Sequence, residues 1–202
     1  MQKQPVSEAK KSKDFYDIIT LLPAKNTSKK LKTEMLRVDH AGEFGAVHIY
    51  KGQAQVFQST PTKRDVLNQI QEMGEQEKVH LDKFNNVLVE RRIRPSILSP
   101  FWQTGGFFLG AVTALISPES AMACTEAVET VVDKHYDTQI VYFENQTEPD
   151  ILLPDLKKFQ QDELDHKQEA IDSDSKNAPF YKTTKFLIET LSHIVIKLAH
   201  QV

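Results

Sequence analysis

The chain has 202 residues, of which 40% are hydrophobic and 26% charged, so it can form one domain with a sizeable core and is not typical of a disordered protein. Its seven glycines, nine prolines and few alternating valine- or threonine-rich runs argue against a β-sandwich or barrel. The net charge of −3 gives no basic field for binding nucleic acid, and the single cysteine, Cys124, excludes an intrachain disulfide framework and a cysteine-based zinc site.

Residues 1–28 are predicted to form a loosely ordered N-terminal arm that ends in the helix-unfriendly stretch LLPAKNTS. This arm has no continuous apolar run of the kind found in secretory signals. Four lysines without an arginine in its first thirteen residues fit a mitochondrial transit peptide poorly. We predict one domain over 29–202.

The domain is predicted to be all-α, because apolar residues recur at helical spacing in each segment. The breaks are STPT at 59–62, which also offers an N-cap, the proline-containing start SPES at 117–120, and the loop 173–180. The first predicted helical segment is 29–59, the second runs from the STPT break to about 93, and the third lies within 95–118. The remaining three are 117–145, 149–173 and a C-terminal amphipathic helix over 180–201.

Glutamates occupy helix positions that should be apolar, where an ionised side chain is costly unless it is paired or bound to metal. These glutamates are Glu43, Glu77, Glu129 and Glu163. The second and the fourth are followed three residues later by His80 and His166, and residues at i and i+3 share one helix face. Random scattering of fifteen glutamates and seven histidines gives about half of one Glu-x-x-His match, so two matches on core faces are informative.

The spacing of these residues repeats along the chain. Glu43 and Glu77 are 34 residues apart, as are Glu129 and Glu163, and the Glu, Glu and His positions of the first half map onto the second with one offset of 86. This indicates an internal two-helix repeat over about 29–93 and 118–173. A glutamate from each of two helices and Glu-x-x-His from the other two is the pattern of ferritin-like di-iron and di-manganese bundles.

Four carboxylates and two imidazoles suit a pair of iron or manganese ions, and the four negative charges balance two divalent cations. We therefore predict a ferritin-like four-helix bundle with Glu77 and Glu163 bridging the metals and with terminal ligands at Glu43, His80, Glu129 and His166. The sequence leaves the coordination modes open, and Glu126, one turn before Glu129, is an alternative ligand that breaks the 34-residue spacing. Asp39 and Asp165 either orient a ligand histidine or are ordinary surface carboxylates.

An uncharged segment of 24 residues lies between Arg94 and Glu119, with its apolar run over about 101–116. Pro100 and the pair Gly105–Gly106 are expected to interrupt a helix, so a membrane span is not predicted. We favour an interfacial helix that dips into one leaflet, with Trp102 at headgroup depth; a buried core helix is the alternative. Two further features of the segment are the basic residues Arg91, Arg92 and Arg94, expected beside anionic lipid, and Gly106-x-x-x-Gly110, which permits a homo-oligomer.

Five stretches carry a resemblance to a known family: LRVDHAGEFGAVHIYKGQ (36–53), EQEKVHLDKFN (75–85), RIRPSILSPFW (92–102), ESAMACTEAVE (119–129) and DELDHKQEAI (162–171). They resemble the demethoxyubiquinone hydroxylases of ubiquinone biosynthesis from about Leu36 to the C-terminus. The resemblance implies a membrane-associated monooxygenase that uses O2 to hydroxylate the ring of a polyprenylated methoxy-methyl-benzoquinol.

The resemblance also implies a cofactor and site residues. It implies two iron ions (Fe2+/Fe3+), the same six ligands that the spacing selects, and His135 and Tyr136 as a pair that links quinone and metal. Some members carry a C-terminal arginine where this chain has His193. No G-x-G-x-x-G fingerprint occurs, so electrons come from NADH at a different kind of site, from the quinol or from a partner.

The implied partners are the quinol, the lipid surface and accessory proteins of ubiquinone biosynthesis. The expected location is the cytoplasmic face of a bacterial inner membrane, with the matrix side of the mitochondrial inner membrane as the alternative. Two other functions stay open. One is a rubrerythrin-like peroxidase or ferroxidase on the same bundle, although its usual Cys-x-x-Cys module is missing; the other is a non-enzymatic, membrane-bound quinone carrier.

Overall fold

The computed structural model describes residues 27–147 and 150–201, and side chains within 29–199 of these. The chain divides into two compact units, Met1–Thr33 and Glu34–Val202. The predicted arm over 1–28 lies outside the described residues except for its last two, which begin the first helix.

The described residues form helices joined by turns and short irregular stretches and contain no strand, so the all-α prediction is confirmed. Two short 3-10 helices, Pro61–Lys63 and Ser175–Asn177, lie between longer elements. The six α-helices in this part of the chain are α1 (Thr27–Gln58), α2 (Arg64–Glu90), α3 (Ser99–Ile116), α4 (Pro118–Glu144), α5 (Leu153–Asp172) and α6 (Tyr181–Gln201). None of them is long and apolar enough to cross a membrane.

Local chemistry explains where several helices begin and end. The Ser117 side chain accepts a hydrogen bond from the Ser120 backbone N–H, with a proline in the first turn, and this confirms the predicted start of α4. The predicted cap at STPT is wrong, because neither Thr60 nor Lys63 makes a side-chain cap bond and the chain enters α2 through a 3-10 turn instead. Helix α2 ends where Arg92 adopts a left-handed φ of 55°.

Helix α3 is continuous, so the expected interruptions at Pro100 and Gly105–Gly106 do not occur. Pro100 lies in the first turn, where a missing N–H costs nothing. The glycines at 106 and 110 face α1 of the same chain: a Cβ at Gly106 would lie 2.7 Å from the Gly45 carbonyl oxygen, and one at Gly110 would lie 2.0 Å from that of Ile49. The two backbones therefore pack directly against each other, and the Gly106-x-x-x-Gly110 face is used within the chain.

The core surrounds α4, which is buried along most of its length and packs against α3, α5 and α6. Large side chains such as Tyr136, Phe84 and Phe143 are almost wholly buried. Burial of each such side chain contributes about 1.5–3 kcal/mol, which fixes the four helices that carry the predicted ligands.

Candidate metal centre

All six predicted ligands meet between α1, α2, α4 and α5, and each is at most 2% exposed. They form two groups, in each of which one ligand atom per residue lies within 4.8 Å of all the others. The first group is Glu43, Glu77, His80 and Glu163; the second is Glu77, Glu129, Glu163 and His166. Glu77 and Glu163 belong to both groups. They are also the two residues that the sequence predicts to bridge the metal ions.

Each shared glutamate divides its two carboxylate oxygens between the two histidines. Glu163 Oε1 lies 3.3 Å from His80 Nδ1, and its Oε2 lies 3.7 Å from His166 Nδ1. Glu77 does the reverse, with Oε1 3.0 Å from His166 Nδ1 and Oε2 3.9 Å from His80 Nδ1. This is the placement of oxygens that a carboxylate spanning two neighbouring cations needs.

The outer nitrogen of each histidine fixes its tautomer. His80 Nε2 lies 3.0 Å from Asp162 Oδ2, and His166 Nε2 lies 2.6 Å from Gln76 Oε1. Both partners are acceptors, so Nε2 carries a proton and Nδ1 is the nitrogen that faces the centre and would bind a metal ion. A metal-binding histidine is typically held in this way.

Two buried tyrosines hold the remaining glutamates. Tyr136 OH donates a hydrogen bond to Glu43 Oε1, and Tyr50 OH donates to Glu129 Oε1 at 2.8 Å. The second oxygen of each of these glutamates is buried without a hydrogen-bond partner. Each carboxylate is therefore oriented on one side and left open on the other.

Tyr50, Gln76 and Asp162 were not predicted as site residues, although the repeat offset of 86 residues pairs them in the same way as the ligands. It relates Tyr50 to Tyr136 and Gln76 to Asp162, just as it relates the ligands. The hydrogen bonds connect the two repeats. The tyrosine of each repeat donates a hydrogen bond to the terminal glutamate of the other repeat. Likewise, the ligand histidine of each repeat contacts Gln76 or Asp162 of the other repeat through its Nε2. The internal repeat is thus a pseudo-twofold arrangement around one centre.

The electrostatics of the cluster demand positive charge. Burial, reinforced by the negative charge of Glu163, raises the pKa of Glu77 and Glu129 well above the usual range for a carboxyl group. Although burial alone lowers the pKa of His80, the neighbouring carboxylates of Glu163 and Glu43 raise it to about 11. Orphaned ligand atoms, Nδ1 of both histidines and both oxygens of Glu163 among them, point to cations between them. The donor set therefore fits a pair of metal ions.

The structure also places the residues that the sequence left as alternatives. Glu126 lies outside both groups and accepts hydrogen bonds from Ser175, Tyr181 and Lys185, which tie α6 to α4. Asp165 is exposed and accepts from Gln161, so it does not orient a ligand histidine.

Asp39 is buried and bonds neither ligand histidine. Its Oδ1 accepts from Gln139 Nε2 at 2.6 Å and lies 3.1 Å from His135 Nε2. A small niche of about 20 Å³ opens beside these groups, lined by Asp39, Glu43, His135 and Tyr136 among others. His135 and Tyr136 are thus placed next to the centre, Tyr136 by direct contact with Glu43 and His135 across the niche.

An apolar cavity of about 270 Å³ adjoins this niche, between α1, α3, α4 and α6. Its lining includes Trp102, Leu109 and Val131, and it shares Gly42, Val132 and Ile196 with the niche. The two spaces therefore lie next to each other between the α3–α6 side of the bundle and Glu43.

The outer faces of α3 and α6 expose large apolar side chains. On α3 these are Phe101, Phe108, Val112, Leu115 and Ile116, and on α6 they are Phe186, Leu187, Leu191, Ile194 and Leu198. Of the three arginines expected beside anionic lipid, Arg92 and Arg94 are exposed, whereas Arg91 is half-buried and paired with Asp150 at 2.8 Å.

Comparison with known proteins places these observations in a family. Residues 30–199 match the family model described as ubiquinone biosynthesis protein COQ7. The chain is 41% identical over 187 residues (92% of this chain, 84% of the relative) to the mitochondrial NADPH-dependent 3-demethoxyubiquinone 3-hydroxylase of Dictyostelium discoideum. It is 42% identical over 178 residues (87% and 80%) to the human protein of the same name. It is also 35% identical over 181 residues (90% and 83%) to the 3-demethoxyubiquinol 3-hydroxylase of Rhodospirillum rubrum.

Proposed function

The chain belongs to the COQ7 family of ubiquinone biosynthesis proteins, and on that premise we propose that its buried carboxylate–histidine cluster is the di-iron centre of a 3-demethoxyubiquinol 3-hydroxylase. The observation that carries this proposal is the pair of ligand groups that share Glu77 and Glu163. An ordinary buried salt-bridge network would not leave both histidine Nδ1 atoms facing carboxylate oxygens without a hydrogen bond.

We assign one metal position to Glu43 and His80 and the other to Glu129 and His166, with Glu77 and Glu163 common to both. Oxygen and imidazole donors without thiolate suit iron, and four carboxylates neutralise two divalent ions. When bound, the iron pair supplies the activation of O2 for insertion of one oxygen atom into the quinol ring. Tyr50 and Tyr136 hold the terminal carboxylates in place, and the burial of the cluster excludes bulk water.

The quinol ring is proposed to enter the apolar cavity from the α3–α6 side and to approach the centre at the niche. The cavity has apolar walls suited to a ring and the first part of an isoprenoid tail, and the niche brings the ring beside Glu43. There His135, held by Asp39, offers a polar contact to a ring oxygen. Tyr136 lies between the ring and the metal ligand Glu43.

The exposed apolar faces of α3 and α6 are proposed to dock on a membrane, from which the polyprenylated quinol reaches the cavity. Contiguous exposed apolar surface of this kind marks a membrane or partner contact, and these helices also line the cavity. Replacing Phe108 and Leu115 by glutamate should abolish flotation with anionic phospholipid vesicles. The control is Val79→Glu on α2, because Val79 is 58% exposed, close to the 61% of Phe108, but lies on a different helix; equal loss in both variants would contradict the docking face.

The proposed function is tested with purified protein reconstituted with iron(II). The wild type should bind two iron ions per chain and convert demethoxyubiquinol to its hydroxylated product with O2, detected by mass spectrometry. Glu163→Gln should lose both iron and product, whereas Glu169→Gln, in the same helix but outside both groups, should keep both. NADPH, NADH and pre-reduced quinol supplied separately identify the electron donor. Retained product formation in a folded, iron-free Glu163→Gln protein would refute the metal assignment.

A further inference from the structure

Among the hydrogen bonds to the six ligands, the pseudo-twofold arrangement is broken at one pair of positions. His80 Nε2 donates to a carboxylate, Asp162, at 3.0 Å, whereas His166 Nε2 donates to a neutral amide, Gln76, at 2.6 Å. The two partners occupy equivalent positions, each directly before a shared glutamate. The other outer contacts are chemically identical in the two halves, since a tyrosine hydroxyl bonds each terminal glutamate.

A carboxylate partner changes the ligand strength of an imidazole more than an amide does. The negative charge of Asp162 stabilises positive charge on the His80 ring and so increases electron donation from Nδ1 to a bound cation. It also adds a further negative charge near the ion on that side, and the half-buried position of Asp162 limits screening by water. Gln76 orients His166 equally well but adds no charge.

We propose that Asp162 makes the metal position of Glu43 and His80 the tighter of the two, so that ions fill it before the position of Glu129 and His166. The inference rests on the proposed function only in that the cluster holds two metal ions. Its consequence is an ordered assembly of the centre. The position filled first is the one beside the niche, because Glu43 lines the niche, and the second ion completes the centre on the far side.

The order of filling is measured by anaerobic titration of the metal-free protein with Co(II), followed by calorimetry and by proton NMR. The wild type should show two steps whose dissociation constants differ about 10- to 100-fold. A paramagnetic ion bound at Nδ1 shifts the exchangeable Nε2–H proton of the same ring. One shifted resonance should therefore appear with the first equivalent and a second with the next.

Two substitutions exchange the outer partners. Asp162→Asn should weaken the first step about 10- to 100-fold and bring the two steps together, while Gln76→Glu should strengthen the second step. The resonance that appears first should move in Asp162→Asn and stay in place in Gln76→Glu. Asp165→Asn, an exposed substitution on the same helix, is the matched control and should leave both steps unchanged.

Equal affinity of the two steps in the wild type would overturn the inference, as would an equal loss in both steps in Asp162→Asn. A first resonance that responds to Gln76→Glu instead would reverse the assigned order and refute the proposal. A folded wild-type protein that binds no Co(II), Mn(II) or Fe(II) would refute the metal centre itself, which separates this failure from the failure of ordered filling.

Discussion

The direct backbone contact between α1 and α3 makes Gly110 intolerant of even one extra carbon. A Cβ at this position would lie 2.0 Å from the Ile49 carbonyl oxygen and 2.8 Å from its carbonyl carbon. Ordinary contact begins near 3.4 Å, so Gly110→Ala must separate the helices by about 1.4 Å. Neither neighbouring atom can rotate away, because both belong to the backbone of a helix.

The expected cost follows from two opposing effects. Overpacking of this kind costs about 1–3 kcal/mol, toward the upper end here because backbone must move, while the helix propensity of alanine returns about 1 kcal/mol. Gly110→Ala should therefore lower the free energy of unfolding by about 2 kcal/mol and the melting temperature by about 4–8 °C. Movement of α3 should also widen the apolar cavity and raise KM for the quinol more than it lowers kcat.

Gly105 provides the internal control in the same helix. It is exposed, and a Cβ there would meet nothing within 4 Å. Gly105→Ala should therefore raise the free energy of unfolding by about 1 kcal/mol. Urea unfolding of the purified proteins measures both changes. If Gly110→Ala were as stable as Gly105→Ala, the close packing of α3 on α1, and the intrachain use of the glycine face, would be refuted.

Three further predictions concern single polar groups. Glu126→Gln should destabilise the fold by about 1–2 kcal/mol at neutral pH, because Lys185 loses its charged partner. Although burial would raise the pKa of Glu126, hydrogen bonds from Lys185, Ser175 and Tyr181 lower it in the folded state below the ordinary 4.5. The stabilisation by the ionised carboxylate is therefore present above pH 4.5 and is lost as pH falls through the lowered pKa. Urea titrations at pH 3–7 should show that the stability of the variant depends less on acid pH than that of the wild type. Tyr136→Phe should weaken iron(II) binding about tenfold by removing the donor to Glu43, as measured by calorimetry, and an unchanged affinity would contradict that role. Because the pKa of His80 is about 11, metal must displace a proton from this ring at neutral pH; iron(II) affinity should rise with pH, and calorimetry in buffers of different ionisation enthalpy should detect proton release.

The polar pattern of the sequence predicted the centre more completely than the apolar pattern predicted the helices around it. Glu43, Glu77, Glu129 and Glu163 could be recognised because a buried charge needs compensation, which makes its position on an apolar stripe informative. The role of Tyr50 could not be predicted, because a tyrosine is common in any protein core. Only its hydrogen bond to Glu129 in the structure separates it from an ordinary core residue. Gln76 and Asp162 were hidden because polar residues on a helix are usually solvated.

The local rules failed where tertiary contact decides the outcome. Glycines at 105 and 106 predict a break from propensity alone, yet α3 continues because the small residue at 106 lets two helices approach closely. The same contact removes the Gly106-x-x-x-Gly110 face from any role between chains. For Asp39, sequence proximity to a ligand suggested a ligand histidine as partner, but the bundle places His135 opposite it instead.

On the proposed function, the surroundings of the centre, and not its ligands, distinguish the side that receives the substrate. The pseudo-twofold axis relates Tyr136 to Tyr50, so the ligand set alone offers two equivalent approaches. The offset of 86 residues also relates α3 to α6, and both helices line the apolar cavity next to the niche that Tyr136 lines. The cleft lined by Tyr50 has two lysines, Lys51 and Lys78, among its lining residues, and α3 borders it through Gln103 and Phe107. On the proposed function, a lipid-borne ring is therefore expected to reach the centre from the Tyr136 side, where the apolar cavity adjoins the niche, and not through the cleft that carries the two lysines.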